Sequence, residues 1–171
     1  ETKVVHLSNG LKMSAEFTIK QAIASDAQEV AVMVGELLTE IMTTIGVQAF
    51  NFSLAETASR LKDFLDREKY FVFVARSGSG SPAGFIALYE SYALYAEGAF
   101  GTIPELYVRP ENRAGGLGLH LVARAKSFGA SRGWTRLEVT TPPLPQFDRT
   151  LAFYEREGFA ISGGRKLKVS L

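Results

Sequence analysis

The stretch Glu105-Leu106-Tyr107-Val108-Arg109-Pro110-Glu111-Asn112-Arg113-Ala114-Gly115-Gly116-Leu117-Gly118-Leu119 decides the fold, because it leaves an extended apolar run at a proline and re-enters order through glycines. Residues 103–108 are mostly β-branched, aromatic or aliphatic and read as a strand. Pro110 has no N–H to give to a ladder, so the strand stops at about Arg109. Beyond the loop, Leu117, Leu121, Val122, Ala125 and Phe128 recur at three- and four-residue steps, one face of a helix running to about Arg132. The glycines therefore open a helix.

The first four N–H groups of a helix have no intrahelical partner and carry the positive end of its dipole, which favours an anion there. Gly115, Gly116 and Gly118 remove the β-carbons that would hold a large anion away from that backbone. The bland alternative is a flexible turn with incidental glycines. Two common phosphate motifs are tested directly. No Gly-Lys pair occurs in the chain, which excludes the standard P-loop. Gly116-x-Gly118-x-x ends in Leu121 instead of a third glycine, so the dinucleotide fingerprint is weak.

Outward from this stretch, 171 residues with 46% hydrophobic content fit one domain with a sizeable core. A formal charge of +1 creates no whole-protein field for nucleic acid or an anionic membrane, so any basic site is local. Without cysteine there is no disulfide, thiol nucleophile or cysteine-ligated metal, and His6 and His120 cannot build a zinc centre unaided. No metal is expected. The missing cysteines make a cytoplasmic location the expectation, and with no run approaching the ~18 apolar residues of a membrane span and no evident signal-peptide h-region a soluble protein is expected.

Residues 1–12 are polar without a clear period and read as an N-terminal extension ahead of a domain spanning 13–171. A strand covers residues 17–20. Ser25 with Gln28 resembles a capping box that opens a helix running to about Thr44, broken by Gly46. Ser53 and Glu56 make a second box, for a helix over 53–66. Residues 70–75 and 84–89 are strands joined by the turn-forming 76–82, a hairpin. Its Gly/Ser loop leads into a strand instead of a helix, which argues against a phosphate cradle. Tyr89, Tyr92 and Tyr95 either line a pocket or cap the sheet edge. Residues 135–140 form a strand stopped by the prolines 142, 143 and 145. Phe147, Leu151 and Tyr154 share one face of a last helix that Gly158 ends, and residues 159–161 and 166–171 are expected as short terminal strands. Strand, helix, strand over 108–139 calls for a parallel crossover and the hairpin for antiparallel pairing, so the sheet is mixed.

Val108-Arg109-Pro110 followed by Arg113-Ala114-Gly115-Gly116-Leu117-Gly118 matches the pattern Arg/Gln-x-x-Gly-x-Gly/Ala after a Val-x-Pro strand end. This resembles the acetyl-CoA loop of the GNAT N-acetyltransferases, and Tyr154-Glu155-Arg156-Glu157-Gly158-Phe159 looks like that family's later Tyr-x-x-x-Gly-Phe signature. The resemblance covers about Phe17 to Phe159. It implies a single-domain α/β fold with a mixed sheet of about six to seven strands, about four helices, and two central parallel strands that splay apart to admit the pantetheine arm. It also implies transfer of acetyl from acetyl-CoA directly to a primary amine of a small molecule or peptide.

By the same resemblance, main chain at Leu106, Tyr107 or Val108 holds pantetheine and thioester, and Arg113, Ala114, Gly115, Gly116, Leu117, Gly118 and Leu119 hold the pyrophosphate. Tyr154 is the acid for the departing thiolate, since a phenol of pKa ~10 can protonate it, although its spacing also suits plain core packing. Glu105, at the start of the central strand, is the base for the amine or an ordinary strand-end carboxylate, with Glu90 and Glu97 as weaker alternatives. His120 reads as a solvated helix residue. The family often has Asn seven residues before the tyrosine, where this chain has Phe147. That departure keeps open a non-catalytic acyl-CoA-binding regulatory module. Residues 45–52 are apolar for a loop, tucked into the core or, by resemblance, part of the acceptor wall. With the tyrosines they suggest an acceptor with an apolar part. No nucleic-acid or membrane partner is expected, and a homodimer stays open.

Overall fold

A computed structural model describes residues 3–8 and 14–171. In chain order the elements are β1 (Lys3–Ser8), β2 (Ser14–Gln21), α1 (Ala27–Ile45), α2 (Leu54–Asp66), β3 (Phe71–Ser77), β4 (Pro82–Ala93), β5 (Gly98–Ile103), β6 (Leu106–Val108), α3 (Leu117–Ser131), β7 (Leu137–Val139) and α4 (Asp148–Arg156). Contacts divide the chain into two compact units, one reaching Thr140 and the other Thr141–Leu171.

The first unit holds a seven-stranded sheet in the order β1-β2-β3-β4-β5-β7, with β6 also paired to β4. Neighbours are antiparallel except β5 and β7, which run parallel on either side of the α3 crossover, as the strand-helix-strand pattern requires. Residues 3–8, inside the stretch read as an extension, pair with β2 along their whole length.

Alternation along the strands sorts the core into two layers. Val72, Val74, Phe85, Ala87 and Tyr107 face α1 and α2, meeting Val30, Met33 and Leu61. On the other side Phe71 and Phe73 lie 4.9 and 5.3 Å from the Phe128 ring of α3, whose Leu117, Leu121, Val122 and Ala125 are buried. Burial of each such large side chain contributes roughly 1.5–3 kcal/mol. This apolar stripe is what seats α3 with its N-terminus at the end of β6.

Local signals decide several boundaries. Gly46 takes a left-handed φ of 70° and ends α1, while the Ser53 hydroxyl accepts the Glu56 N–H to open α2. The start of α1 differs from the expected Ser25–Gln28 box. Asp26 accepts the Ile23 N–H at 2.8 Å at the head of a short 3-10 turn, Ala24–Asp26, so the reciprocal bond comes from a residue three positions earlier. The expected terminal strands do not form. Residues after α4 carry neither helix nor strand, and Ile161, Leu167 and Val169 are exposed, so the alternating pattern that suggested strands finds no face to bury.

The largest departure lies at the centre. The run expected as one strand over 103–108 is two strands, β5 and β6, separated at Pro104-Glu105, and both lie along the same edge of β4. β4 is correspondingly long, running past the expected end at 89, and its residues 89–93 pair with β5. Pro104 cannot donate to a ladder, so the break falls where the sequence removes a hydrogen bond.

Candidate active site

The break sets which way the backbone of β6 faces. The Ala87 N–H donates to the Glu105 carbonyl and the Arg109 N–H to the Ala83 carbonyl, so odd-numbered residues turn their main chain towards β4. In an antiparallel ladder that alternation leaves Leu106 and Val108 with N–H and C=O pointing away from β4. The approach of β4 to β6 is close, and a Cβ at Gly84 would stand 2.6 Å from the Tyr107 carbonyl oxygen. On the far side, β7 pairs only with β5, and that pairing ends at Ile103–Val139. Among the described residues no strand covers the outer edge of β6.

This open edge runs directly into the phosphate-type loop. Pro110–Gly115 form a 3-10 turn, and Gly116, at φ 77°, turns the chain into α3 in a conformation that favours glycine. No side chain caps α3, so its first N–H groups stay available to an anion. Ala114, Gly116 and Leu119 are exposed, and Leu117 is buried and anchors the turn. An extended chain carrying amides can therefore pair along Leu106 and Val108 while its phosphates meet the helix start. The residues fit acetyl-CoA, whose pantetheine arm has amides and whose other end has a pyrophosphate.

Glu105 heads β6 and is half-buried. Burial pushes its carboxyl up to about 7, an effect that a hydrogen bond with the Tyr70 hydroxyl partly offsets. The Tyr70 ring stacks on Tyr89 at 6.0 Å and meets Phe64 at 5.2 Å, so the phenol that faces Glu105 is held in an aromatic cluster. Burial, and then the Glu105 charge, raise the Tyr70 phenol, which stays protonated as a donor. Tyr70 was not among the residues expected from the sequence. Its only signal is an aromatic at the mouth of β3, in phase with the inward Val72 and Val74.

The other acidic candidates sit differently. Glu90 accepts from Trp134 Nε1 at 2.5 Å and from the Tyr92 hydroxyl, with Arg132 at 3.6 Å, and these donors hold its carboxyl below the usual range. Glu97 occupies a left-handed turn position after β4. Of the three tyrosines, Tyr89 stacks on Tyr70, whereas Tyr92 and Tyr95 are exposed.

Arg113, expected at the pyrophosphate, is placed by the structure against α1. Its Nη1 and Nη2 donate to the two Glu40 carboxylate oxygens at 2.7 and 2.6 Å, and its Nε donates to the outward Val108 carbonyl at 2.7 Å. One turn earlier on each partner, Arg109 grips Glu36 at 3.1 and 2.9 Å and also donates to the Pro82 carbonyl. Sequence reasoning missed both acids, although a complementary signal exists. Glu36 and Glu40 are four apart on a helix, as are Arg109 and Arg113 on the facing loop.

Tyr154 belongs to the second unit, where its ring meets Phe153 at 5.2 Å and Phe159 at 5.3 Å. It is buried, and burial raises its hydroxyl above the ordinary phenol value. Phe147 is the N-cap of α4, and its side chain makes no cap hydrogen bond. Among the described residues no group of three or more His, Asp or Glu could hold a metal ion, and no helix is long and apolar enough to cross a membrane.

Residues 36–159 match the Acetyltransferase (GNAT) family, and the chain belongs to it. Solved structures show the same fold at low identity. An aminoglycoside acetyltransferase from an uncultured soil metagenomic sample, in complex with sisomicin, superposes with a TM-score of 0.72 at 17% identity, covering 91% of this chain and 96% of that one. The ribosomal-protein-alanine N-acetyltransferase from Brucella melitensis biovar Abortus 2308 gives 0.68 at 18% identity, covering 91% and 99%. A GCN5-related N-acetyltransferase from Ralstonia eutropha JMP134 gives 0.70 at 20%, covering 90% and 98%. A search of curated proteins finds no match.

Proposed function

We propose that the protein is an N-acetyltransferase that moves the acetyl group of acetyl-CoA directly to a primary amine of a small molecule or peptide. The observation that carries this reading is the open edge of β6, with outward main chain at Leu106 and Val108, a half-buried carboxylate at its head and an uncapped helix start at its foot. Acetyl-CoA supplies the activated thioester carbon.

The outward N–H of Leu106 or Val108 is the donor for the carbonyl oxygen as negative charge builds on it, a fixed dipole in a partly dry site. Glu105 takes the proton that the amine must lose, directly or through one water. An alkylammonium has a pKa ~10.4, and a carboxylate lifted to about 7 is a far better base for it than one in the ordinary range. As the C–N bond forms and the C–S bond breaks, Tyr154 is the group assigned to protonate the leaving thiolate. Residues 113–119 hold the pyrophosphate at the start of α3. Small amine-bearing acceptors agree with the sisomicin complex of the aminoglycoside enzyme, whose fold this chain shares.

Calorimetric titration with CoA and acetyl-CoA, followed by free-thiol release over a panel of amines, tests the reading. Saturable binding with acceptor-dependent thiol release is expected. No binding of either at millimolar concentration would sink it, and binding without turnover on a broad panel would point to the regulatory module instead.

A further inference from the structure

The cavity of about 670 Å³ on the α1 side of β6 is lined by Val32, Phe52, Leu54 and Tyr107 together with Glu36 and Glu40. Phe52 forms a wall that depends on Gly35, since a Cβ there would stand 2.6 Å from its ring. Each carboxylate is spanned by an arginine of the β6–α3 connection, but the two pairs are not equivalent. Arg109 and Glu36 are 24% and 35% exposed, whereas Arg113 and Glu40 are 42% and 37% exposed. Arg113 also occupies the outward Val108 carbonyl, the acceptor that an amide-bearing donor would need on the open edge.

We propose that the Arg113–Glu40 pair is a latch that donor binding exchanges, and that the released Glu40 carboxylate receives the second positive charge of a diamine-type acceptor whose apolar chain lies in this cavity. The inference rests on the acetyl-CoA reading above. A donor amide competes with Arg113 Nε for the Val108 carbonyl, and the pyrophosphate offers the guanidinium a more highly charged partner than one carboxylate. Glu40 is then left beside an apolar cavity without its cation. A positive charge at the far end of the acceptor restores the pairing, and a monoamine of equal length cannot. Arg109, held by Glu36 and the Pro82 carbonyl, stays in place.

The coupling is reciprocal, so it can be read from either ligand. Calorimetry with CoA is expected to give ~2–5-fold tighter binding to Glu40→Gln than to the wild type, because Arg113 no longer has to leave a partner. Kinetics over the alkanediamines from propane- to octanediamine, each against the monoamine of its length, should show at least one diamine favoured about tenfold in kcat/KM, a preference that Glu40→Gln abolishes. In Arg113→Gln, where Glu40 is already released, diamine binding should no longer tighten when CoA is added. Unchanged or weaker CoA binding to Glu40→Gln, or a diamine preference that is absent or survives that substitution, overturns the latch while leaving an active acetyltransferase. Failure of the wild type to bind CoA at all removes the acetyl-CoA reading itself, and the latch with it.

Discussion

Glu90 and Glu105 are two carboxylates of one sheet whose surroundings drive them in opposite directions. Glu90, on β4, collects the Trp134 indole, the Tyr92 hydroxyl and the Arg132 guanidinium, and is held ionised below the usual range. Glu105, at the break between β5 and β6, has among the described residues the Tyr70 hydroxyl alone as donor, and burial lifts it to about 7. The first is a structural anion that fastens β4 to the turn after α3. The second sits where a proton can be taken up near neutral pH. Burial supplies the difference only because few donors accompany it.

The sharpest way to break this contrast is to neutralise each acid in turn. Glu105→Gln is expected to lower kcat/KM by ~10²–10⁴-fold, the usual worth of a general base, whereas Glu90→Gln leaves it within about threefold. Steady-state kinetics with the best amine of the panel decide it, and equal losses in the two variants would remove the distinction.

Tyr154→Phe keeps the ring against Phe153 and Phe159 and deletes only the hydroxyl. If that hydroxyl protonates the thiolate, turnover falls by ~10²–10⁴-fold while acetyl-CoA affinity changes little, provided chemistry limits the rate. A turnover number within about threefold of wild type would retire the assignment, and a packed tyrosine would show instead as ~1 kcal/mol lost from stability.

The pH profile carries a smaller effect. A base must be deprotonated to act, so kcat/KM should rise with pH and level off above about 7 as Glu105 ionises. Glu105→Gln should lose that limb. Tyr70→Phe should move it to higher pH, because the Tyr70 hydrogen bond lowers the Glu105 value and its removal leaves burial unopposed. A limb that stays in place in Glu105→Gln belongs to another group.

Stability gives the smallest and most diagnostic difference, because the two acids have opposite signs. Glu105 has a folded pKa raised above an unfolded value of ~4.3, so its contribution is fully present below pH ~4.3 and is lost as pH rises through about 7. Glu105→Gln should therefore be more stable than wild type at pH 8, by on the order of 1–3 kcal/mol, and not at pH 4. Glu90 has a depressed pKa, so its contribution is present above the unfolded value and lost as pH falls through the folded one. Glu90→Gln should be less stable than wild type at neutral pH. Thermal melts at both pH values read the two signs, and the same sign for both would contradict their assigned environments.

Much of this was legible in the chain, and the misses share a cause. Periodicity, caps and proline positions are local, so α1, α2, α3 and the β3–β4 turn fall close to where their residues place them. The Val-x-Pro end and the glycine loop likewise announce the end of β6 and the start of α3. The terminal strands failed because alternation suggests a strand only where a partner edge exists. The Ser25–Gln28 box failed because Asp26 could serve a nearer N–H.

The sequence by itself determined the family, the glycine loop that opens α3, and the short menu of acids and phenols from which a mechanism could be drawn. Only the tertiary structure decided which acid is lifted towards neutrality, which backbone atoms of β6 face outward, and that Arg113 lies on Glu40. The physical reason is that a pKa and a strand's facing depend on what surrounds a residue. Those surroundings come from segments far apart in the chain: Tyr70 on Glu105, α1 on the β6–α3 connection, and Trp134 on Glu90.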